Sequence, residues 1–313
     1  MKRTIVILLT LAALVSGITG CGNKNAAPRS QDSKINVIAT IFPPYDFVRR
    51  VAGDKVNLTM LLPPGAESHS YEPSPRDIIA IRNSDIFIYG GGESDTWIGR
   101  ILQSVNTDTM KILAMMDAVE TVEEEIVEGM ENDDDEESAY DEHVWTSPKN
   151  AILIVQAITA LLCEADPANA DFYRQNAAAY MKELQQLDAA FAEIVSGAKR
   201  GTIVFADRFP FRYFADAYGL AYFAAFPGCS TETEPSARAV AFLIKKIKAE
   251  KIPAVFHIEL SNQRMADTIT RETGAKKLLF HSCHNITKQD FESGLGYLEI
   301  MRRNAANLKE ALY

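Results

Sequence analysis

The amino-acid sequence predicts an α/β protein with two lobes of parallel strands, joined by one long rigid α-helix. Runs of β-branched and apolar residues alternate with runs of helical spacing in both halves of the chain. Such alternation is typical of a parallel sheet with helices on its faces. Between these regions, residues 168–195 contain neither glycine nor proline. A helix of nearly 30 residues spans roughly 45 Å, which is long enough to bridge two lobes.

The first lobe is predicted to occupy residues 34–165. Its strands are expected at 35–41, 56–62 and 86–89, with helices at 45–51 and 75–83. Breaks in the pattern separate these elements, such as the Pro-Pro pairs at 43–44 and 63–64. Ser147 and Pro148 supply an N-cap and a first-turn proline for a further helix that ends near residue 162.

The linking helix is assigned to residues 166–197, because Asp166 and Pro167 repeat that start signal. The second lobe then occupies residues 198–313. Strands are predicted at 201–206, 221–226, 252–258 and 277–281, and helices at 236–249, 262–273 and 291–312. This order repeats the strand–helix alternation of the first lobe.

The N-terminus has the features of an export signal. Lys2 and Arg3 precede an apolar run, residues 4–15, that is too short to span a bilayer as a helix. Residues 18–21 read Ile-Thr-Gly-Cys, which looks like a bacterial lipobox. We therefore predict a signal peptide at 1–20, lipidation of Cys21, and a tether at 21–33. Two or more lipid chains would hold the protein at the extracytoplasmic face of the cell membrane.

Acidic residues outnumber basic ones, and the excess is local. The net charge is −10, and residues 117–142 hold 14 carboxylates with no lysine or arginine. Because no basic patch offsets phosphate repulsion, a nucleic-acid partner is not expected. We interpret 117–142 as a solvated, disordered loop, with weak cation capture as the alternative.

Two histidines lie at predicted boundaries between elements. His69 follows the second predicted strand, and His143 precedes the helix that begins near residue 148. Loops at the ends of parallel strands are where ligand-binding groups project in α/β proteins. Two histidines in matching contexts indicate a metal site.

The chain resembles the zinc/manganese solute-binding lipoproteins of ABC importers over nearly its whole length after the signal. The motifs that carry this resemblance are HSYEPSP at 69–75, DEHVWTSP at 141–148, Tyr-Phe-Ala at 213–215 with Tyr-Gly-Leu at 218–220, and Glu-Pro-Ser at 234–236. The resemblance implies a metal in the cleft between the lobes, held by one or two ligands from each lobe.

Carried onto this sequence, the family's first two metal ligands fall on His69 and His143. Its last ligand, which follows a strand starting near a Thr-Gly-Ala-Lys motif, falls on His281. The third position departs from the family pattern, because counting back from the Tyr-Phe-Ala motif gives Arg208, a cation that cannot ligate a metal. Asp207 is the nearest competent donor, and Glu259 is an alternative ligand or a support for a ligating imidazole.

Three imidazoles and one carboxylate suit tetrahedral Zn²⁺, and Mn²⁺ is the second choice because it prefers more oxygen ligands. Cys229 and Cys283 are expected to form a disulfide in an oxidising compartment. The rival interpretation is that Cys283 or His284 ligates a softer metal. Cys163 is interpreted as a core residue and His257 as structural.

The leading functional prediction is a monomeric, non-enzymatic protein that captures Zn²⁺ or Mn²⁺ and delivers it to an ABC permease. The alternatives are a zinc-dependent hydrolase and a metal-dependent adhesin at the cell surface. A hydrolase needs an open metal position and a nearby general base. Four protein donors would close the site, and no His-Glu-x-x-His sequence occurs.

Overall fold

The described part of the protein begins after the predicted tether. A computed structural model describes residues 34–67, 71–130, 140–229 and 236–313. The predicted signal peptide, Cys21 and His69 therefore lie outside the described residues.

The first half contains a four-stranded parallel sheet in the order β2-β1-β3-β4. Its strands are β1 (Ile35–Ala39), β2 (Val56–Met60), β3 (Ile86–Tyr89) and β4 (Lys111–Ala114). The connecting helices are α1 (Phe42–Ala52), α2 (Pro75–Arg82) and α3 (Thr96–Ser104). Ser74 caps α2, because its hydroxyl accepts from the Asp77 amide while the Asp77 carboxylate accepts from the Ser74 amide.

Two helices lead from this sheet into the second half. They are α4 (Pro148–Ala165) and α5 (Ala170–Ser196), and α5 has 27 residues, about 40 Å of helix. The buried residues of α5 recur every three or four positions and form one inward-facing stripe: Tyr173, Ala177, Tyr180, Leu184, Leu187 and Phe191. Helix α4 is apolar and long enough to cross a membrane by length and composition. However, its buried face packs in the protein core beside α1 and α5.

The second half contains the parallel pairs β10-β9 and β5-β7, connected by a bridge between Phe205 and Phe256, and a short parallel pair, β6-β8. Its strands are β5 (Thr202–Val204), β6 (Arg208–Phe209), β7 (Ala221–Phe223), β8 (Phe226–Pro227), β9 (Ala254–His257) and β10 (Lys276–Leu279). Its helices are α6 (Arg212–Tyr218), α7 (Ala237–Glu250), α8 (Arg264–Thr273), α9 (Lys288–Glu292) and α10 (Tyr297–Leu312).

The predicted α/β class, the parallel strands and the long helix are confirmed. Helix α5 packs against α1 from the first half and against α6 and α10 from the second. One apolar cluster runs through both halves and includes Phe47, Trp145, Phe191 and Phe280. The sequence did not predict α3, β4 or α6. The long helix and the shared core together fix the strand ends of the two halves near each other.

Candidate metal centre

His143 is fully buried at the end of the acidic segment. It directly precedes a short turn of 3-10 helix, Val144–Thr146, that leads into α4. Asp141 accepts from the backbone amide of His143 at 2.7 Å and lies 3.0 Å from its Nδ1 through the same oxygen. Because a carboxylate oxygen only accepts, we assign the ring proton to Nδ1. The imidazole is thus oriented to offer Nε2 to a metal, in the manner of a carboxylate–histidine–zinc arrangement.

The surroundings of His143 are electrostatically negative. Burial by itself lowers the pKa of His143, but the adjacent Asp141, with Glu142 and Glu124, outweighs that effect and raises the pKa above its ordinary value. Such an environment favours a positive charge at the ring. A bound divalent cation would be stabilised by the same carboxylates.

His284 is the histidine that lies against His143. It is 8% exposed, and the centroids of the two rings are 5.3 Å apart with an interplanar angle of 82°. Two imidazoles on one tetrahedral zinc, each with a Zn–N distance of about 2.0–2.1 Å, would have ring centroids about 5.2 Å apart. The observed spacing is compatible with two histidines that share one ion, and it also lies within the ordinary range of about 4.5–7 Å for packed aromatic rings.

The two histidines line a small cavity of about 30 Å³, close to the volume of one water molecule in the liquid. Five further polar residues on its wall are Glu67, Arg208, Glu259, Ser282 and Asn285. They follow β2, β5, β9 and β10 in the chain, so the cavity lies at the carboxyl ends of strands from both halves.

The carboxylate of Glu259 is bound to the loop that carries His284. Ser282 donates to it from its backbone amide at 2.7 Å and from its hydroxyl at 2.5 Å. Glu259 therefore shapes the cavity wall, as expected for a supporting group. Its role as a direct ligand remains the alternative prediction.

His281 does not line this cavity. Its Nδ1 accepts from the Cys283 amide at 2.9 Å and lies 3.4 Å from a Glu259 oxygen that already accepts from Ser282. Burial lowers the pKa of His281, so the ring is neutral and its proton sits on Nε2. A neutral imidazole has one ring lone pair, and here the Cys283 amide occupies it. His284 lines the cavity whereas His281 does not, which supports His284 as a candidate ligand beside the predicted His281.

Asp207 lies on a different wall. Its oxygens accept from the amides of Arg208 at 3.0 Å and Ile258 at 3.4 Å, and it lines a neighbouring cavity of about 470 Å³. Burial raises the pKa of Asp207. Arg208, by contrast, lines both cavities. His143, His284, Glu259 and Arg208 line the cavity, whereas Asp207 and His281 contact members of this group without lining it.

His257, predicted to be structural, is buried with its Nδ1 3.0 Å from the Ile258 carbonyl. It is not on the cavity wall. Among the described residues, no three His, Cys, Asp or Glu side chains are grouped as a metal site. A metal here requires at least one donor beyond them. His69, which follows Glu67 by two positions, is outside the described part of the chain.

The loops of this centre are tied together across the two halves. The side-chain amide of Asn285 donates to the carbonyls of Pro63 at 2.8 Å and Ala66 at 2.9 Å, and Gly65 donates to Ile286 at 2.8 Å. Near His143, the indole of Trp145 donates to the Ser282 carbonyl at 2.8 Å. The loop with His284 is therefore held against both first-half loops.

Residues 117–130 are only partly the solvated loop that the sequence predicts: most of their carboxylates, Asp117, Glu120, Glu123, Glu125 and Glu128, are exposed, but the segment also contacts the second half. Tyr213 of α6 donates to the Asp141 carbonyl at 2.8 Å and accepts from the Val122 amide at 3.3 Å. Glu124 accepts from the Cys229 amide at 3.0 Å, and mainly burial raises the pKa of Glu124. This part of the acidic segment thus packs on the second half. Residues 131–139 lie outside the described residues.

The predicted disulfide is not formed, since Cys163, Cys229 and Cys283 are free thiols. Cys229 lies beside Glu124 and Asp141, whereas Cys283 is fully buried in the core beside Glu259 and Asp46. Burial above all, with these neighbouring carboxylates, raises the pKa of both thiols. The two sulfurs therefore occupy separate environments. Cys163 is half-buried against the core, as predicted.

A ligand-sized cavity at the carboxyl ends of parallel strands from two halves, joined by one long helix, defines a solute-binding protein. The chain belongs to the ZnuA family, described as zinc-uptake complex component A, periplasmic, whose model matches residues 37–311. This confirms the family indicated by the sequence motifs.

Individual relatives agree with that family. The chain is 33% identical over 313 residues to the zinc-binding lipoprotein AdcA of Streptococcus pneumoniae R6, with 99% of this chain and 61% of AdcA covered. It thus spans about three-fifths of the length of that relative. It is 30% identical to the high-affinity zinc uptake system protein ZnuA of Bacillus subtilis 168, with 97% of each chain covered.

Two solved structures show the same fold. The Zn(II)-bound ZnuA-like domain of Streptococcus pneumoniae AdcA aligns with a TM-score of 0.75 at 32% identity, covering 90% of this chain and 99% of that one. The metal-dependent lipoprotein YcdH of Bacillus subtilis aligns with a TM-score of 0.77 at 29% identity, covering 90% of this chain and all of that chain.

Proposed function

We propose that this protein captures Zn²⁺ in the cavity between its halves and delivers it to the membrane permease of an ABC importer. The observation that supports this best is the 5.3 Å spacing between the rings of His143 and His284. His69 is the further protein ligand that we propose from the sequence. The names of the AdcA and ZnuA relatives, a zinc-binding lipoprotein and a high-affinity zinc uptake system protein, agree with zinc as cargo.

Zinc is preferred over manganese because of the donor types. The rings of His143 and His284 provide nitrogen donors, which suit Zn²⁺, whereas Mn²⁺ favours carboxylate, carbonyl and water oxygens. The Glu259 carboxylate is bound by two hydrogen bonds to Ser282. Mn²⁺ is therefore proposed only as a weaker, alternative cargo.

We further propose that the protein acts as a monomer, tethered to the extracytoplasmic face of the membrane by lipid on Cys21, and that it catalyses no reaction. The apolar run before Cys21 supports the export signal. The buried position of His143 and the small cavity support storage of an ion over catalysis, which needs room for a substrate beside the metal.

The test is an equilibrium titration of metal-free protein at zinc concentrations set by a competing chelator. One tight zinc site per chain is expected, with manganese bound much more weakly. His257→Ala is a matched control, because it removes a buried imidazole that is not on the cavity wall. The proposal is wrong if zinc does not bind, or if manganese binds more tightly than zinc.

A further inference from the structure

We propose that Tyr213 is a positioning residue of the metal centre. Its hydroxyl fixes the backbone of Asp141, and this backbone sets the position of the carboxylate that orients the His143 ring. Tyr213 itself is not on the wall of the metal cavity. The proposal rests on the proposed function, since it takes zinc to bind at His143.

The hydroxyl of Tyr213 lies between two backbone groups that precede His143. It donates to the Asp141 carbonyl at 2.8 Å and accepts from the Val122 amide at 3.3 Å. The Asp141 amide in turn donates to the Val122 carbonyl at 3.0 Å. Burial raises the pKa of Tyr213 to about 12, so the hydroxyl keeps the proton that it donates at neutral pH. These three hydrogen bonds hold Asp141 by both its amide and its carbonyl.

The side chain of Asp141 depends on this backbone for its position. The residue is fully buried, and its Oδ1 contacts the amide and the Nδ1 of His143. In the described part of the chain, its Oδ2 has no hydrogen-bond partner. The hydrogen bonds of the carboxylate therefore tie it to His143 and to no other group. An aspartate side chain is short, so a shift of its backbone moves the carboxylate and the attached ring together.

The Tyr213 ring is a rigid support for that backbone. It is 5% exposed and packs in the core, and its helix α6 contacts the 3-10 turn Val144–Thr146 that follows His143. Binding groups must be held within about 0.5 Å of their productive geometry by the residues around them. Because α6 belongs to the second half and His143 to the first, contact between the halves fixes the geometry of a first-half ligand.

The first experiment measures zinc affinity at zinc concentrations set by a competing chelator. Tyr213→Phe keeps the ring and removes only the hydroxyl. Loss of a group that directly supports a metal ligand typically weakens binding by about 10- to 100-fold. Tyr213 acts one residue further out, so we expect zinc to bind about 5- to 10-fold more weakly. Urea unfolding of the metal-free protein checks that the variant folds.

Tyr222→Phe is the matched control. Its hydroxyl donates to Glu125 of the same acidic segment at 3.1 Å, at a position that does not contact Asp141. The substitution therefore removes a tyrosine hydroxyl that also ties the segment to the second half. We expect its zinc affinity to stay within about twofold of the parent, since this hydrogen bond does not fix the support of His143.

The second experiment separates positioning from a general structural role. Tyr213→Phe is combined with Asp141→Ala, and the loss of zinc affinity caused by removing the hydroxyl is compared in the two backgrounds. A general structural role would give the same loss in both. We expect the loss to shrink below about twofold in Asp141→Ala, because no carboxylate remains to be positioned.

A third measurement needs no metal. The Nδ1 proton of His143, hydrogen-bonded to Asp141, is expected as a far-downfield signal in the proton NMR spectrum of the metal-free protein. Asp141→Ala should remove this signal, and Tyr213→Phe should shift or broaden it. Tyr222→Phe should leave it unchanged.

Parent-like zinc affinity in Tyr213→Phe would overturn the proposal. So would an equal loss of affinity with and without the Asp141 carboxylate, an equal loss in Tyr222→Phe, or a His143 signal that Tyr213→Phe does not alter. Failure of the parent to bind zinc would instead refute the proposed function, and the NMR comparison would still test the link from Tyr213 to His143.

Discussion

The choice between His284 and His281 gives the most decisive test of the metal centre. His284 supplies one of the two described imidazoles at the spacing of a shared zinc ion. Its replacement by alanine leaves His143 as the only described imidazole on the cavity wall. We expect zinc affinity to fall at least about 100-fold, which corresponds to about 2.7 kcal/mol.

His281→Ala removes an equally buried ring from the same loop, so the two variants form a matched pair. This substitution leaves the Cys283 amide without its hydrogen-bond acceptor and leaves a cavity of the size of an imidazole ring. A buried donor without a partner costs about 1–3 kcal/mol, and a cavity of this kind adds a cost of similar size. We therefore expect lower stability but a zinc affinity within about threefold of the parent, since the lost lone pair binds an amide.

The assays are competition titration with a chromophoric chelator for affinity and urea unfolding of the metal-free protein for stability. Both are performed on all three proteins under the same conditions. The reasoning is refuted if His281→Ala binds zinc much more weakly than the parent while His284→Ala binds like the parent. That result would mean that the loop after β10 presents the His281 ring, and not the His284 ring, to the metal.

Three further predictions concern groups around the site. Asp141→Asn should weaken zinc binding about 10- to 100-fold without preventing folding, because the Asp141 carboxylate orients the His143 ring and stabilises the charge of a bound cation; the same titration measures this. Because protons compete with zinc for neutral imidazoles, affinity should fall between pH 7.5 and 5.5 by about tenfold for a ligating ring with the ordinary pKa of about 6.5, and by more for His143, whose pKa is raised; unchanged affinity would exclude histidine ligands. Burial raises the pKa of Asp95 from 3.8 to about 7, so the folded state holds this proton more tightly than the unfolded state. Its contribution to stability is complete below about pH 4 and is lost as pH rises through about 7, by up to about 4 kcal/mol. Asp95→Asn should flatten the pH dependence of the unfolding free energy in that interval, as followed by urea unfolding at each pH.

The alternation of strands and helices was sufficient to predict the fold. Parallel strands with both faces covered form nearly continuous apolar runs, such as β3 and β9. These runs are visible without any tertiary information. Elements with weaker local signals were missed: β4 is a four-residue strand with only Ala114 fully buried, and α6 has seven residues.

The sequence analysis predicted His143 and His281 as ligands, whereas the structure places His284 against His143. His281 and His284 are three residues apart, and the loop after β10 turns between them, where Cys283 has a positive φ of 63°. This turn directs the His284 ring toward His143, while the His281 ring accepts an amide within its own loop. The backbone conformation of Cys283, a single non-glycine residue, decides which ring faces His143. No periodic pattern in the sequence reveals that conformation. The order His-Ser-Cys-His was the only available signal.

The hydrogen bonds between the loops bear on how the metal is held and released. Five of them join the second-half loop at 282–286 to the first half: two from Asn285 and one each from Gly65, Phe42 and Trp145. At about 1 kcal/mol each, opening the cleft widely would cost roughly 5 kcal/mol. The packed acidic segment around Glu124 adds a further connection. On the proposed function, zinc binding between the His143 and His284 rings would require little ordering because these rings already lie in contact, which favours high affinity. Release to the proposed permease would then separate the rings through a local change in one of these loops, since a wide hinge motion would break all five bonds at once.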